Sequence, residues 1–146
     1  NYIMMPDKTY ILNELKKNVD LRYFVKKLEG HTNQIHSISV LPNGNLISVC
    51  KSSFKIWDSS GKCISTIIIN NESYLITDIL PISNSIIATL NFKGTVNILD
   101  LNKEEIIKTI EHTDSDLSSN HEYNIALLPN NNGLVITYGT YFHIYK

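Results

Sequence analysis

Five histidines, two cysteines and 14 acidic residues are the groups of this 146-residue chain suited to acid–base, nucleophilic or metal chemistry. The densest cluster is Glu111-His112-Thr113-Asp114-Ser115-Asp116, with His121 and Glu122 close behind. Imidazole and carboxylate ligate divalent ions, so a metal site would draw on His112, Asp114, Asp116 and His121. Their spacing matches no metal-binding loop, and a solvated acidic loop is the simpler account, so neither a metal nor a cofactor is expected. The chain has no Gly-x-Ser-x-Gly, no His-Glu-x-x-His and no glycine-rich phosphate loop, and no catalytic residue is assigned. Cys50 and Cys63, 13 residues apart, make no disulfide framework. Each lies beside apolar neighbours and reads as a small buried hydrophobe.

The elements that must position these groups come from composition and repetition. Among the 146 residues are 22 Ile, which favours strands, and 17 Asn, which favours tight turns. Three segments then share one pattern of an alternating strand, a Pro turn, a second strand, a short polar loop and a third strand. In the first, Ile35 to Leu41 leads through Pro42-Asn43-Gly44-Asn45 to Leu46–Cys50, the loop Lys51-Ser52-Ser53 and Phe54 to Asp58. In the second, Tyr74 to Leu80 leads through Pro81 to Ile86–Leu90, the loop Asn91-Phe92-Lys93-Gly94 and Thr95 to Asp100. In the third, Tyr123 to Leu128 leads through Pro129 to Leu134–Tyr138 and then Tyr141 to Lys146. Cys63 to Ile69 and Ile106 to Ile110 supply a fourth strand to the first two. Residues 102–110 have helical composition, but their place in the repeat makes them strand. Asp58, Asp100 and Lys146 are spaced by 42 and 46 residues, and a period of about 40–45 with several short strands is that of a β-propeller blade. The fold class is therefore all-β, with blades of four antiparallel strands in an incomplete ring.

Leu28-Glu29-Gly30-His31, followed 27 residues after Gly30 by Trp57-Asp58, resembles a full unit of the WD-repeat propeller family. Thr66 to Asp100 resembles a second unit, with Leu99-Asp100 in place of Trp-Asp. Glu111-His112 and Ile144-Tyr145-Lys146 stand where a third unit's motifs would be. The division is then 1–18 as a lead-in and 19–146 as blades: 19–34 the end of a preceding unit, 35–69 and 74–110 blades, 123–146 a partial blade. The lead-in is either a short N-terminal helix over Lys8 to Asn18 or a decayed inner strand. The resemblance implies that His31, Ser48 and Trp57 form a hydrogen-bonded network within the first blade. The family's loop Asp is missing, with Lys51-Ser52-Ser53 in its place, so His31 is expected to make only part of that network.

The resemblance also gathers the Gly-His loops and the loops between second and third strands on one rim. Thr32, Asn33, Gln34, Lys51, Ser52, Asn70, Asn71, Glu72, Phe92 and Lys93 are the rim residues, and Asp114 and Asp116 belong to an acidic lip over 111–122. Residues 103–122 carry two basic and six acidic side chains, a local charge of -4, which tunes encounter more than affinity. Phe92 is the foremost contact candidate, as an aromatic at a loop tip. Family members serve mostly as assembly platforms, so the function implied is a non-enzymatic scaffold binding a protein or peptide partner through its top rim. The alternative is a propeller-based enzyme with His and carboxylate groups in the rim loops. RNA binding is the weaker reading, because a formal charge of -1 supplies no basic excess.

No run approaches the length of a membrane-crossing helix, and no small-molecule substrate is implied. With no signal peptide at the start and no disulfide framework, the chain is expected inside the cell, in the cytoplasm or nucleus. A closed propeller has at least about four blades. Three are too few, so the missing blades are expected from the same chain or from a homo-oligomer.

Overall fold

The computed structural model describes residues 26–51, 53–68, 75–111, 122–129 and 132–146. Among the described residues eleven strands follow one another: β1 (Ile35–Val40), β2 (Leu46–Cys50), β3 (Ser53–Trp57), β4 (Cys63–Ile68), β5 (Ile76–Pro81), β6 (Ile86–Asn91), β7 (Val96–Asp100), β8 (Glu105–Ile110), β9 (Tyr123–Leu127), β10 (Leu134–Tyr138) and β11 (Tyr141–Tyr145). They form three antiparallel meanders in chain order: β1-β2-β3-β4, β5-β6-β7-β8 and the three-stranded β9-β10-β11. Residues 105–110 are strand despite their helical composition, because β7 offers them a paired edge from Val96 to Asp100. The proposed helix over 8–18 lies outside the described residues. Of residues 19–34, read as the end of a preceding unit, 19–25 also lie outside the described residues, and 26–34 are not strand.

The turns explain the motif residues at strand ends. Asp58 Oδ1 accepts the backbone N–H groups of Ser60 (2.9 Å) and Lys62 (3.0 Å) and the Ser60 hydroxyl (2.6 Å), folding the chain from β3 into β4. The Ser60 hydroxyl, chiefly, and the Lys62 N–H hold its carboxyl below the ordinary carboxylate value. Asp100 caps the next unit's turn in the same way, accepting from Asn102 N (2.9 Å) and Lys103 N (3.2 Å). An aspartate at this place serves the backbone, as Asx turns do elsewhere.

Each sheet has two distinct faces, because side chains alternate along a strand. The first sheet's apolar face carries Ile47, Val49, Phe54 and Ile67, packed against Ile76, Ile79, Ile87 and Leu99 of the second sheet. The second sheet's other face carries Ala88, Leu90 and Val96, packed against Leu134, Ile136 and Tyr138 of the third. The core is thus two apolar layers, one at each joint between consecutive sheets. Polar links stitch the first joint: Ser37 donates to Asp78 (3.2 Å), and Asn43 N donates to Asn84 Oδ1 (2.8 Å).

Candidate functional site

Two places answer to the site residues expected from sequence: a polar network on the face of the first sheet turned away from the second sheet, and the rim at which the β6–β7 turn meets β9.

In the network, β2 sets Ser48 and Cys50 two residues apart on the same face, and β3 pairs Ser53 with Cys50 and Trp57 with Leu46. The indole N–H of Trp57 donates to Ser48 Oγ at 2.8 Å. Ser48 Oγ lies 2.6 Å from His31 Nε2, His31 Nδ1 lies 3.0 Å from Cys50 Sγ, and Cys50 Sγ lies 3.0 Å from Ser53 Oγ. One assignment of hydrogens uses the indole, Ser48, His31 and Cys50 donors together. Ser48 donates to Nε2, the imidazole carries its proton on Nδ1 and donates to sulfur, and the thiol donates to Ser53. That assignment requires a neutral imidazole, and burial, reinforced by the Lys55 charge, lowers the His31 pKa from its ordinary value. Gly30 runs beside the indole at φ 146°, where an added Cβ would stand 3.4 Å from the Trp57 ring. Glycine before histidine therefore lets the imidazole reach β2.

His31 was expected to be only partly bonded because no carboxylate follows β2. Both of its ring nitrogens are engaged, the second by a thiol. Cys50 is buried as expected, at 1% exposure, but it is a hydrogen-bonding member of the network as well as a filler of space. Cys50 and Ser53 escaped the sequence reading, although alternation along β2 already sets Cys50 on the Ser48 face. Cys63 is a free thiol and only half-buried. Chemically the network satisfies itself: its hydroxyls, imidazole and thiol bond one another within a sheet.

The second sheet repeats the positions with different atoms. Aligning Trp57 with Leu99 places Thr89 where Ser48 is and Asn91 where Cys50 is. The Thr89 hydroxyl donates to the Asn97 carbonyl at 3.4 Å, and Thr109 donates to Asn97 Oδ1 at 2.7 Å. Asn91 Oδ1 accepts the N–H groups of Lys93 and Thr95, both at 2.9 Å, while its buried Nδ2 has no hydrogen-bond partner. In the third sheet Ile136 takes the serine place and is fully buried. Tyr138 takes the cysteine place, its hydroxyl 3.4 Å from that of Tyr145. Burial raises the Tyr138 pKa well above the ordinary phenol value, so it stays protonated.

At the rim, Thr32, Asn33, Gln34, Lys51 and Lys93 are exposed. Lys51 turns the chain between β2 and β3 at φ 36°. Phe92 is 52% exposed, with Lys93 Nζ 5.6 Å from its ring centroid, and its N–H reaches the Leu75 carbonyl at 3.3 Å. Beside it opens a cleft of about 300 Å³ lined by Thr77, Phe92, Glu122, Tyr123 and Asn124. Gly94, at φ 81°, makes room for its wall: a Cβ there would fall 2.7 Å from the Tyr123 ring. The structure thus brings Phe92 together with Glu122 at the end of the acidic loop. Tyr123 and Asn124 as cleft residues were not anticipated, since they read as the start of a strand. Ser52, Asn70, Asn71, Glu72, Asp114 and Asp116 lie outside the described residues, as do His112 and His121. Among the described residues, no three His, Cys, Asp or Glu side chains cluster as a metal site would need. No described helix is long and apolar enough to cross a membrane.

No family model matches the chain, and no curated protein matches it in sequence. Among solved structures it is similar to the β-propeller protein Hsv2 of Kluyvelomyces marxianus, at a TM-score of 0.57 and 16% identity. The match covers 79% of this chain and 34% of Hsv2, so the chain spans about a third of that protein's length. At this identity the likeness speaks to the fold alone: the three sheets are β-propeller blades.

Proposed function

We propose that the chain is a non-enzymatic interaction module, a degenerate WD-repeat-like propeller segment that binds a protein or peptide partner inside the cell through its top rim. The observation that carries this reading is the cleft between the second and third blades, with Phe92 half-exposed at its mouth. Exposed aromatics at the edge of a concave site are the residues on which binding energy concentrates. Glu111 and Glu122, both exposed at the ends of the acidic loop, favour a partner with basic character. A non-catalytic role is supported by the network chemistry, since the His31 nitrogens and the Cys50 thiol are taken up by neighbouring side chains.

The test is affinity capture from the source cell with wild-type protein and Phe92→Ala side by side, read by quantitative mass spectrometry. Binding through the rim predicts specific partners that fall about tenfold or more with Phe92→Ala, as for a hot-spot aromatic. The melting temperature should not change. Partners retained equally by both proteins would sink the proposal.

A further inference from the structure

The cleft at the rim has a definite chemical character. Asn91 Oδ1 shapes the β6–β7 turn by accepting the N–H groups of Lys93 and Thr95, and the Phe92 N–H bonds the Leu75 carbonyl ahead of β5. The turn thereby holds Phe92 at the cleft mouth. On β9 the Tyr123 ring packs against Gly94 and meets the Tyr138 ring edge-on, with centroids 5.8 Å apart. Two aromatic walls are thus set by backbone and packing in advance of binding. The polar groups lining the cleft accept more than they donate. The Thr77 hydroxyl donates its hydrogen to the Leu90 carbonyl at 3.2 Å, which leaves its oxygen to accept from a ligand. Glu122 is an exposed carboxylate, an acceptor only, and the exposed Asn124 adds an amide oxygen. Lys93 already sets its ammonium over the Phe92 ring at 5.6 Å, near the outer limit of about 6 Å for such a contact. Charge, acceptors and ring faces therefore favour one kind of guest, a cation with several N–H donors.

We infer that the cleft takes the guanidinium of an arginine presented by a protein or peptide partner, which rests on the rim-binding reading above and narrows it. A guanidinium is planar, stacks on aromatic faces and carries five N–H donors in a fixed fork. It can lie against Phe92 or Tyr123 while donating to the Glu122 carboxylate, with Thr77 and Asn124 as further acceptors. A lysine ammonium is a compact point charge that cannot stack, so it uses fewer of these groups. The cleft volume of about 300 Å³ is at the small end for ligand sites, room for one long side chain rather than for a whole peptide. A phosphate or carboxylate would meet the Glu122 charge and the same acceptors, and is rejected by them.

The experiment presents the immobilised whole chain with pools of short peptides that have random flanks and one fixed central residue: arginine, lysine, citrulline or glutamine. The arginine pool should be retained about tenfold or more above the citrulline pool, since citrulline keeps the shape of arginine and loses its charge. The lysine pool should fall between the two. Glu122→Gln should bring the arginine pool down to the citrulline level with an unchanged melting temperature, whereas Phe92→Ala should weaken every pool. Equal retention of the arginine and citrulline pools, retention of no pool, or an arginine preference that Glu122→Gln leaves intact would overturn the inference. So would a lysine pool retained as well as the arginine pool. In each of these cases, cellular partners lost with Phe92→Ala would still support binding through the rim, so the two readings fail separately.

Discussion

In the first blade, β2 and β3 pair Leu46 with Trp57 through to Cys50 with Ser53. In the third, β10 and β11 pair Leu134 with Tyr145 through to Tyr138 with Tyr141. Place by place, Phe54 corresponds to Phe142, Ser48 to Ile136, Cys50 to Tyr138 and Trp57 to Tyr145. Phe54 is 0% exposed and Phe142 61%. The same residue at the same place in the same register has opposite surroundings because, among the described residues, a blade lies against one face and none against the other. The network positions differ in the complementary sense. Ser48 sits on a face that no other described blade covers, where hydroxyl, imidazole and thiol satisfy one another. Ile136 faces Ala88, Leu90 and Val96, where a hydroxyl would need a partner and an isobutyl-sized side chain needs none. The second blade stands between them: its network side is covered by aliphatics yet keeps Thr89 and Asn91, and the Asn91 Nδ2 without a partner is the cost.

Phe54→Ala separates the two phenylalanines most sharply. It should lower the unfolding free energy by about 3–5 kcal/mol, the usual loss for a buried Phe. Phe142→Ala should change it by no more than about 0.5 kcal/mol. Urea titrations of both variants measure the gap, and equal losses would break the comparison. Next in size is Ser48→Ala, which removes the atom shared by Trp57 and His31 and should cost about 1–3 kcal/mol. Thr89→Ala, which loses a single longer bond, should cost about 0.5–1.5 kcal/mol by the same measurement. If Thr89→Ala costs more, the first blade's network is not the stronger one.

The smallest effect is on pH dependence. The His31 pKa is lowered in the folded chain from 6.5, so between those two values the unfolded state binds more protons and stability rises with pH. Stability from this group is complete above the unfolded value and is lost as pH falls below about 6.5, until the folded pKa is passed. Melting curves at pH 7.5 and 5.5 should show a drop in the wild type that His31→Gln reduces. An equal drop in both proteins would assign the acid sensitivity to groups other than His31.

Much of this was written along the chain. The repeat of Pro turns and apolar-apolar-polar strand ends is a local pattern, and each unit pairs only with its sequence neighbours. Strands within a blade were therefore legible to within a residue or two. Ile106 to Ile110 could be read as strand against its composition because position in a repeat outweighs intrinsic propensity. Cys50 shows the limit: its type said buried and its parity said same face as Ser48. That it bonds His31 needed the 19-residue path that returns Gly30-His31 over β2. Phe92 was marked as a rim residue from its loop. Tyr123 and Asn124 were not, because the cleft lies between two blades and belongs to neither sequence unit.

The sequence by itself determined what recurs: the strand alternation, the turn aspartates Asp58 and Asp100, and the placing of His31, Ser48 and Trp57 within one unit. These depend on side-chain parity and on hydrogen bonds within a few tens of residues. Only the tertiary structure decided which faces are covered. Phe54 and Phe142 cannot be told apart by type, parity or register. Burial is a property of the neighbouring blade, and the apolar area that a face removes from water is set by what packs on it.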